Sequence, residues 1–218
     1  ELEGQAFDGL IMGLGYAAVE CLCAGKPISE TPSLIYRAPS GETATGDHSL
    51  LNPDDYPAPL YDNDVYLDLD RKIPVYTLIL SNQACPNQCV YCIRPTNYGR
   101  SQQRREIAEV VKEVQWLYEH RGVTHFRIED STPPPRALTE LAEALAASDL
   151  VGKVFFCAFS RVDSNGQEDF ELLKRAGFIS LFFGIESLAD EVLLSLSKGI
   201  TVSEAGDTLK RAHAAGIR

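Results

Sequence analysis

From about residue 75 onward, short apolar runs alternate with amphipathic stretches, and this rhythm constrains the fold more than any other feature of the 218-residue chain. Residues 75–80 form an apolar run with β-branched members, which predicts a buried strand. Residues 103–121 place Ile107, Val110, Val111, Val114 and Leu117 on one face of a helix. Gly122 follows as its C-terminal cap. The pattern then repeats: strand 125–129, helix 134–147 carrying Leu138, Leu141 and Leu145, and strand 154–159. Next come helix 168–176 closed by Gly177, strand 180–185, and helical segments over 188–196 and 203–215. Parallel strands need a crossover, usually a helix, so this alternation predicts an α/β chain with a parallel sheet. Four such units fit a barrel-like or a doubly wound sheet. Ile217-Arg218 falls where a fifth strand would begin, so the chain is expected to stop mid-fold.

The first third reads differently. Phe7, Leu10, Ile11 and Leu14 recur at helical spacing and predict a helix, and Gly25 and Pro27 end whatever follows it. Residues 34–37 are a short strand candidate closed by Pro39-Ser40-Gly41. Residues 38–63 hold Pro39, Pro53, Pro57 and Pro59 among Asn, Asp and Gly, the composition of a loop or linker. The expected division is therefore 1–70 and 71–218. The chain opens on Glu1 rather than Met, so its native start is expected to lie upstream.

Charge and apolar runs exclude some classes. The chain carries 31 acidic against 20 basic residues, a formal net charge of −11. Phosphate recognition needs a basic face, so nucleic acid is not an expected partner. No run reaches the 18 apolar residues of a spanning helix, and no secretory signal is visible, so no membrane role is expected. The six cysteines are not spaced as a disulfide framework. Three of them crowd into eight residues, which favours metal binding in a reducing compartment, the cytoplasm.

That cluster runs Ser81-Asn82-Gln83-Ala84-Cys85-Pro86-Asn87-Gln88-Cys89-Val90-Tyr91-Cys92, with spacing Cys-x3-Cys-x2-Cys. It lies just past the C-terminal end of the first predicted strand, the end that carries the chemistry in parallel α/β barrels. Thiolate sulfur is soft and suits iron–sulfur clusters or zinc. A closed zinc site wants four ligands, and only three are local. Three thiolates on a four-iron cube leave one iron open. Cys21, Cys23 or Cys157 can supply a closing fourth. Their ordinary readings are a small buried hydrophobe in mid-strand for Cys157 and core residues for Cys21 and Cys23.

A Cys-x3-Cys-x-aromatic-Cys motif with Tyr91 in the aromatic slot, placed after the first strand of a β/α repeat, resembles the radical S-adenosylmethionine (SAM) superfamily. The resemblance implies a partial (β/α) TIM-like barrel, truncated after about four β/α units and preceded by an α/β remnant and linker. It implies a [4Fe–4S] cluster on Cys85, Cys89 and Cys92, with SAM chelating the open iron through its amino and carboxylate groups. One electron then breaks a carbon–sulfur bond, giving methionine and a 5′-deoxyadenosyl radical. The electron would come from a donor such as flavodoxin or ferredoxin.

Similar enzymes bind SAM at the C-terminal ends of the following strands. Here Glu129-Asp130-Ser131 stands where the family often has Gly-Gly-Glu, so Glu129 or Asp130 would meet the SAM ammonium. Ser160 and Arg161 follow the third strand, and Arg161 would hold the SAM carboxylate by a two-point contact. On the fourth strand, period two puts Leu181, Phe183 and Ile185 toward the helices and Phe182, Gly184 and Glu186 inward. An inward carboxylate needs a bonding partner, which suits Glu186 to the SAM ribose hydroxyls.

The stretch 184–198 resembles the branch with an N-terminal cobalamin domain, where a Lys or Arg follows at the place of Lys198. Glu1-Leu2-Glu3-Gly4 and the strand 34–37 resemble the tail of such a domain. No Asp-x-His-x-x-Gly motif is present, so no cobalt-ligating histidine is named. Gly13-Leu14-Gly15 is not a dinucleotide fingerprint. His48, His120, His125 and His213 share no ligand spacing. The reading is thus a radical SAM enzyme acting on an unidentified small molecule or peptide, with radical methyl transfer where cobalamin takes part. Two alternatives stand beside it. One is a binding module stabilised by zinc or a closed cluster. The other is a methylthiotransferase, which needs a further cluster that Cys21 and Cys23 do not obviously supply.

Overall fold

The computed structural model describes residues 7–47, 52–55, 75–163 and 169–218. Two sheets organise them. Strands β1 (Gly9–Ile11), β2 (Leu34–Arg37) and β3 (Thr43–Thr45) form an antiparallel sheet, with helix α1 (Tyr16–Cys23) between the first two. Strands β4 (Tyr76–Leu78), β5 (His125–Ile128), β6 (Phe155–Ser160) and β7 (Phe178–Phe183) form a parallel sheet in the order β4-β5-β6-β7. The strand order never reverses, so the sheet has no topological switch point and follows the barrel pattern rather than the doubly wound one. Arg218 extends it: its N–H donates to Ile179 O and its carbonyl accepts from Leu181 N, at 3.1 and 2.8 Å, a fifth strand's pairing.

Helices α3 (Ile107–Arg121), α4 (Ala137–Ala146) and α5 (Phe170–Arg175) cover one face of this sheet. Phe126, Phe156 and Phe178 stack across neighbouring strands on that face, with centroids 5.4 and 5.2 Å apart. Val110, Val114 and Leu117 of α3, Leu138, Leu141 and Leu145 of α4 and Leu173 of α5 close over them. The helical stripes read from the sequence are therefore the buried faces. Gly122 caps α3 at φ 64°. Gly177 turns α5 into β7, and a Cβ there would sit 2.4 Å from Val154 O, so no other residue fits. Helices α6 (Asp190–Ser195) and α7 (Val202–Ala214) follow β7. Thr201 and Glu204 form a reciprocal capping box at the start of α7.

Several expectations need correcting. The helical spacing over 7–14 does not make a helix. Gly9–Ile11 pairs with β2, and Gly13 and Gly15 take φ 81° and 70° before α1 begins. Gly9 approaches β2 so closely that a Cβ would lie 3.0 Å from Ile35 O. Tertiary pairing thus overrides a short apolar period. The proline-rich stretch contains β3, while most of its remainder, like the expected 70/71 boundary, lies outside the described residues. The short helix α2 (Arg94–Tyr98), with Pro95 in its first turn, carries no apolar stripe and was not foreseen. Cys23 is exposed and Cys21 half-buried, so neither is a core residue. Cys157 is half-buried on the sheet face opposite the helices, not inside the core.

Candidate active site

The chemistry-bearing end of the sheet is built from the loop after β4. Asp130, fully buried past the end of β5, accepts the Leu80 N–H at 2.6 Å and the Ser81 hydroxyl. Burial pushes this carboxyl up to about 6, although both hydrogen bonds and Arg105 pull it down. Asn82 holds the next step. Its Oδ1 accepts from Ala84 N and Gln103 N, and its Nδ2 donates to Ser101 O. Gln102 Nε2 donates to Ala84 O and Thr132 O, at 3.1 and 2.8 Å. The Cys85 N–H donates to Gly99 O, and the Val90 N–H to Leu196 O. The segment 81–92 is therefore pinned on three sides.

Cys85 and Cys89 are buried and Cys92 half-buried, and all three line one cavity of about 360 Å³ at the C-terminal ends of β5, β6 and β7. Polar groups reach the sulfurs. Asn87 Nδ2 lies 3.4 Å and Thr132 Oγ1 3.6 Å from Cys85 Sγ, and Arg161 Nη1 lies 3.7 Å from Cys89 Sγ.

Tyr91, Glu129, Ser160, Arg161 and Glu186 line the same cavity. Asp130 does not. Its carboxylate turns back into the strand-to-loop junction. Glu129 pairs with Arg127, 2.5 Å away, and Arg127 also lies over the Phe159 ring. Arg161 makes its two-point contact with Asp163 of this chain, at 2.8 and 2.9 Å, and donates through Nη2 to Lys198 O at 2.5 Å. Burial disfavours its charge, but Asp163 outweighs burial and raises its pKa.

Lys198 was named from the resemblance alone, yet it is central here. Its buried Nζ donates to Tyr91 Oη at 3.0 Å and to Glu186 Oε1 at 3.1 Å. Burial and the Glu186 carboxylate push the Tyr91 phenol well above its usual range. Burial raises Glu186, but hydrogen bonds from Lys198 and Tyr91 more than offset it and lower its pKa. Glu186 takes φ 72°, uncommon for a side-chain-bearing residue and typical of positions held by their surroundings. Gly184 makes room for the pair: a Cβ there would lie 3.2 Å from both Glu186 Oε1 and Lys198 Nζ. As the sequence period implied, Phe182, Gly184 and Glu186 face the cavity, and Phe183 joins them.

Among the described residues, no three His, Cys, Asp or Glu side chains converge tightly enough to hold a single metal ion. A four-iron cube takes thiolates at separate corners, so three cysteines around one cavity, each of two sulfurs met by donors, fit the larger group.

The radical SAM superfamily profile matches residues 79–218, which hold this entire site. The chain belongs to the radical SAM superfamily. Membership implies a [4Fe–4S] cluster and SAM. Across 99% of its length the chain is 23% identical to an uncharacterized methyltransferase of Pyrococcus horikoshii, covering 48% of that protein. It is 26% identical over 97% of its length to a protein of Methanocaldococcus jannaschii named as a methylthiotransferase, covering 47% of it. The chain thus spans about half the length of these relatives. Among solved structures it is similar to the cobalamin-dependent SAM radical enzyme OxsB with aqua-cobalamin bound. The TM-score is 0.79 at 20% identity, over 94% of this chain and 32% of OxsB. That likeness shows the fold.

Proposed function

We propose that this chain is the SAM-cleaving part of a radical SAM methyltransferase that works with cobalamin. The observation that carries the SAM-cleaving part is the convergence of Cys85, Cys89 and Cys92 on a cavity that polar groups from three strand ends share. The methyltransferase and cobalamin parts are supported by the name of the Pyrococcus relative and by the OxsB likeness, which covers nearly the whole chain. When bound, the cluster supplies one electron and an open iron for the SAM amino and carboxylate groups.

Each of the chain's own groups then has a task. The three thiolates hold the cluster. Glu129 offers negative charge to the SAM ammonium, with Arg127 fixing its orientation. Ser160 and Glu186 offer oxygen atoms at the ends of β6 and β7, Glu186 toward the ribose. Phe159 and Phe182, centroids 5.6 Å apart, line the cavity with apolar surface. Lys198 holds Glu186 and Tyr91 in register with the cluster loop.

This reading puts the protein in the cytoplasm, with a flavodoxin or ferredoxin as electron donor and a small molecule or peptide as substrate. The three clustered cysteines suit metal binding in a reducing compartment. Among the described residues no helix is long and apolar enough to cross a membrane.

Anaerobic reconstitution of the full-length protein with iron and sulfide tests the reading. The expected result is four irons, an EPR spectrum of the reduced cluster that SAM perturbs, and 5′-deoxyadenosine after reduction. Retention of added cobalamin tests the second half. A protein that takes up zinc in place of a cluster and leaves SAM intact would falsify the proposal. The Methanocaldococcus relative's name favours methylthiolation as a second reading. It requires more than four irons per chain.

A further inference from the structure

The geometry points to Arg161 as a positioning residue that sets the reduction potential of the cluster through Cys89, with Asp163 and the Lys198 carbonyl holding its guanidinium in place. The inference rests on the proposed cluster site and goes beyond it, because it assigns to Arg161 a task other than holding the SAM carboxylate.

The guanidinium is planar, and its donors form a rigid fork. One edge is bound to Asp163, Nε to Oδ1 and Nη2 to Oδ2. Nη2 also reaches the Lys198 carbonyl. Two attachments on different segments, 163 and 198, leave the plane little freedom. Nη1 then points at Cys89 Sγ, 3.7 Å away. The residue is buried, 6% exposed, so the charge acts through protein rather than water. Of these contacts to the cysteine sulfurs, this one comes from a charged donor. Asn87 and Thr132, which approach Cys85, are neutral.

The sign follows from charge. Reduction adds one electron to the cluster and its thiolates. A cation and N–H at one thiolate stabilise that added negative charge more than they stabilise the oxidised form, so the potential rises. Without this contact the cluster would be harder to reduce. Lys198 links the arrangement to the rest of the mouth. Its carbonyl holds Arg161, while its Nζ holds Tyr91, two residues on from Cys89. The cluster loop is thereby clamped at Cys89 and Tyr91 by the segments that follow β6 and β7.

The experiment is an EPR-monitored redox titration of the reconstituted full-length protein without SAM. It compares the wild type with Arg161→Gln, Arg161→Lys and Asp163→Asn, with iron counted in each. Arg161→Gln is expected to disfavour reduction about tenfold, which is ~59 mV lower for a one-electron couple. Arg161→Lys, which keeps the charge but not the fork, should fall between the two. Asp163→Asn keeps the guanidinium but loosens its anchor, and should shift the potential the same way by less. If Arg161→Gln fails to retain the cluster, Asp163→Asn decides. An unchanged midpoint in every variant that holds four irons overturns the inference and leaves the proposed function standing. A wild type that takes up no cluster overturns both.

Discussion

The two faces of the parallel sheet are made by the same alternation and do opposite work. Phe126, Ile128, Phe156, Ala158 and Phe178 point under the helices and are almost completely buried. Their strand neighbours Arg127, Cys157 and Phe159 point the other way and stay partly accessible, and Phe182 is half exposed. The closed face is apolar, interlocked and indifferent to chemistry. The open face carries charge, a thiol and loose aromatics, and it leads up to the cavity at the strand ends. The lesson is that stability and reactivity are separable here by direction along and across the sheet, so substitutions on the two sides should fail in different ways.

The sharpest separation should come from Cys92→Ala. The residue is half-buried and lines the cavity, so reconstituted iron and SAM cleavage should be lost altogether. The apo protein's unfolding free energy should move by no more than ~0.5–1 kcal/mol. Iron analysis beside a denaturant titration checks both halves. A large loss of apo stability would break the comparison.

The converse is Phe156→Ala. Phe156 is stacked between Phe126 and Phe178 with no exposure, and truncation should cost about 3–5 kcal/mol. Urea unfolding reads it directly. Cluster content per folded molecule should remain that of the wild type.

Asp130 sits between the two regimes, as a buried acid serving the loop. Its folded pKa, about 6, is above the ordinary 3.8. The folded state therefore binds the proton more tightly than the unfolded chain does. Stability is highest below pH 4 as far as this group is concerned, and falls as pH rises from about 4 to 6. The total is on the order of 2–3 kcal/mol. In Asp130→Asn, which can still accept from Leu80 N–H, that slope should vanish. A slope unchanged in the variant would show that another group is responsible.

Smaller effects sharpen the comparison further. Thr201→Ala removes the capping box of α7 and should cost about 1 kcal/mol in thermal unfolding, with no change in cluster loading. Phe182→Ala, on the open face, should change stability by about 0.5 kcal/mol or less, and its effect should appear in SAM turnover instead.

Much of this could be read along the chain. The strand-helix rhythm after residue 75 is a property of nearest neighbours and periodicity, so β4 to β7 and α3 to α7 were each foreseen to within a few residues. The cysteine motif is equally local, because its three ligands sit on one short loop. The stretch before residue 24 misled for the same reason. Phe7, Leu10, Ile11 and Leu14 satisfy a helical period in isolation, but the edge of β2 offers backbone partners that no local pattern can announce.

What the sequence by itself determined is therefore the parallel sheet, the buried face of each helix, and which loop carries the thiols. Only the tertiary structure decided which polar side chains face them. Asp130 was drawn back to Leu80 and Ser81, Arg161 was anchored on Asp163 beside Cys89, and Lys198 was brought to Tyr91 across 107 positions. The physical reason is range. Periodicity and ligand spacing are set by covalent neighbours. The partner of a buried charge is set by whichever strand ends the closed sheet brings together, and that is fixed only when the whole core has packed.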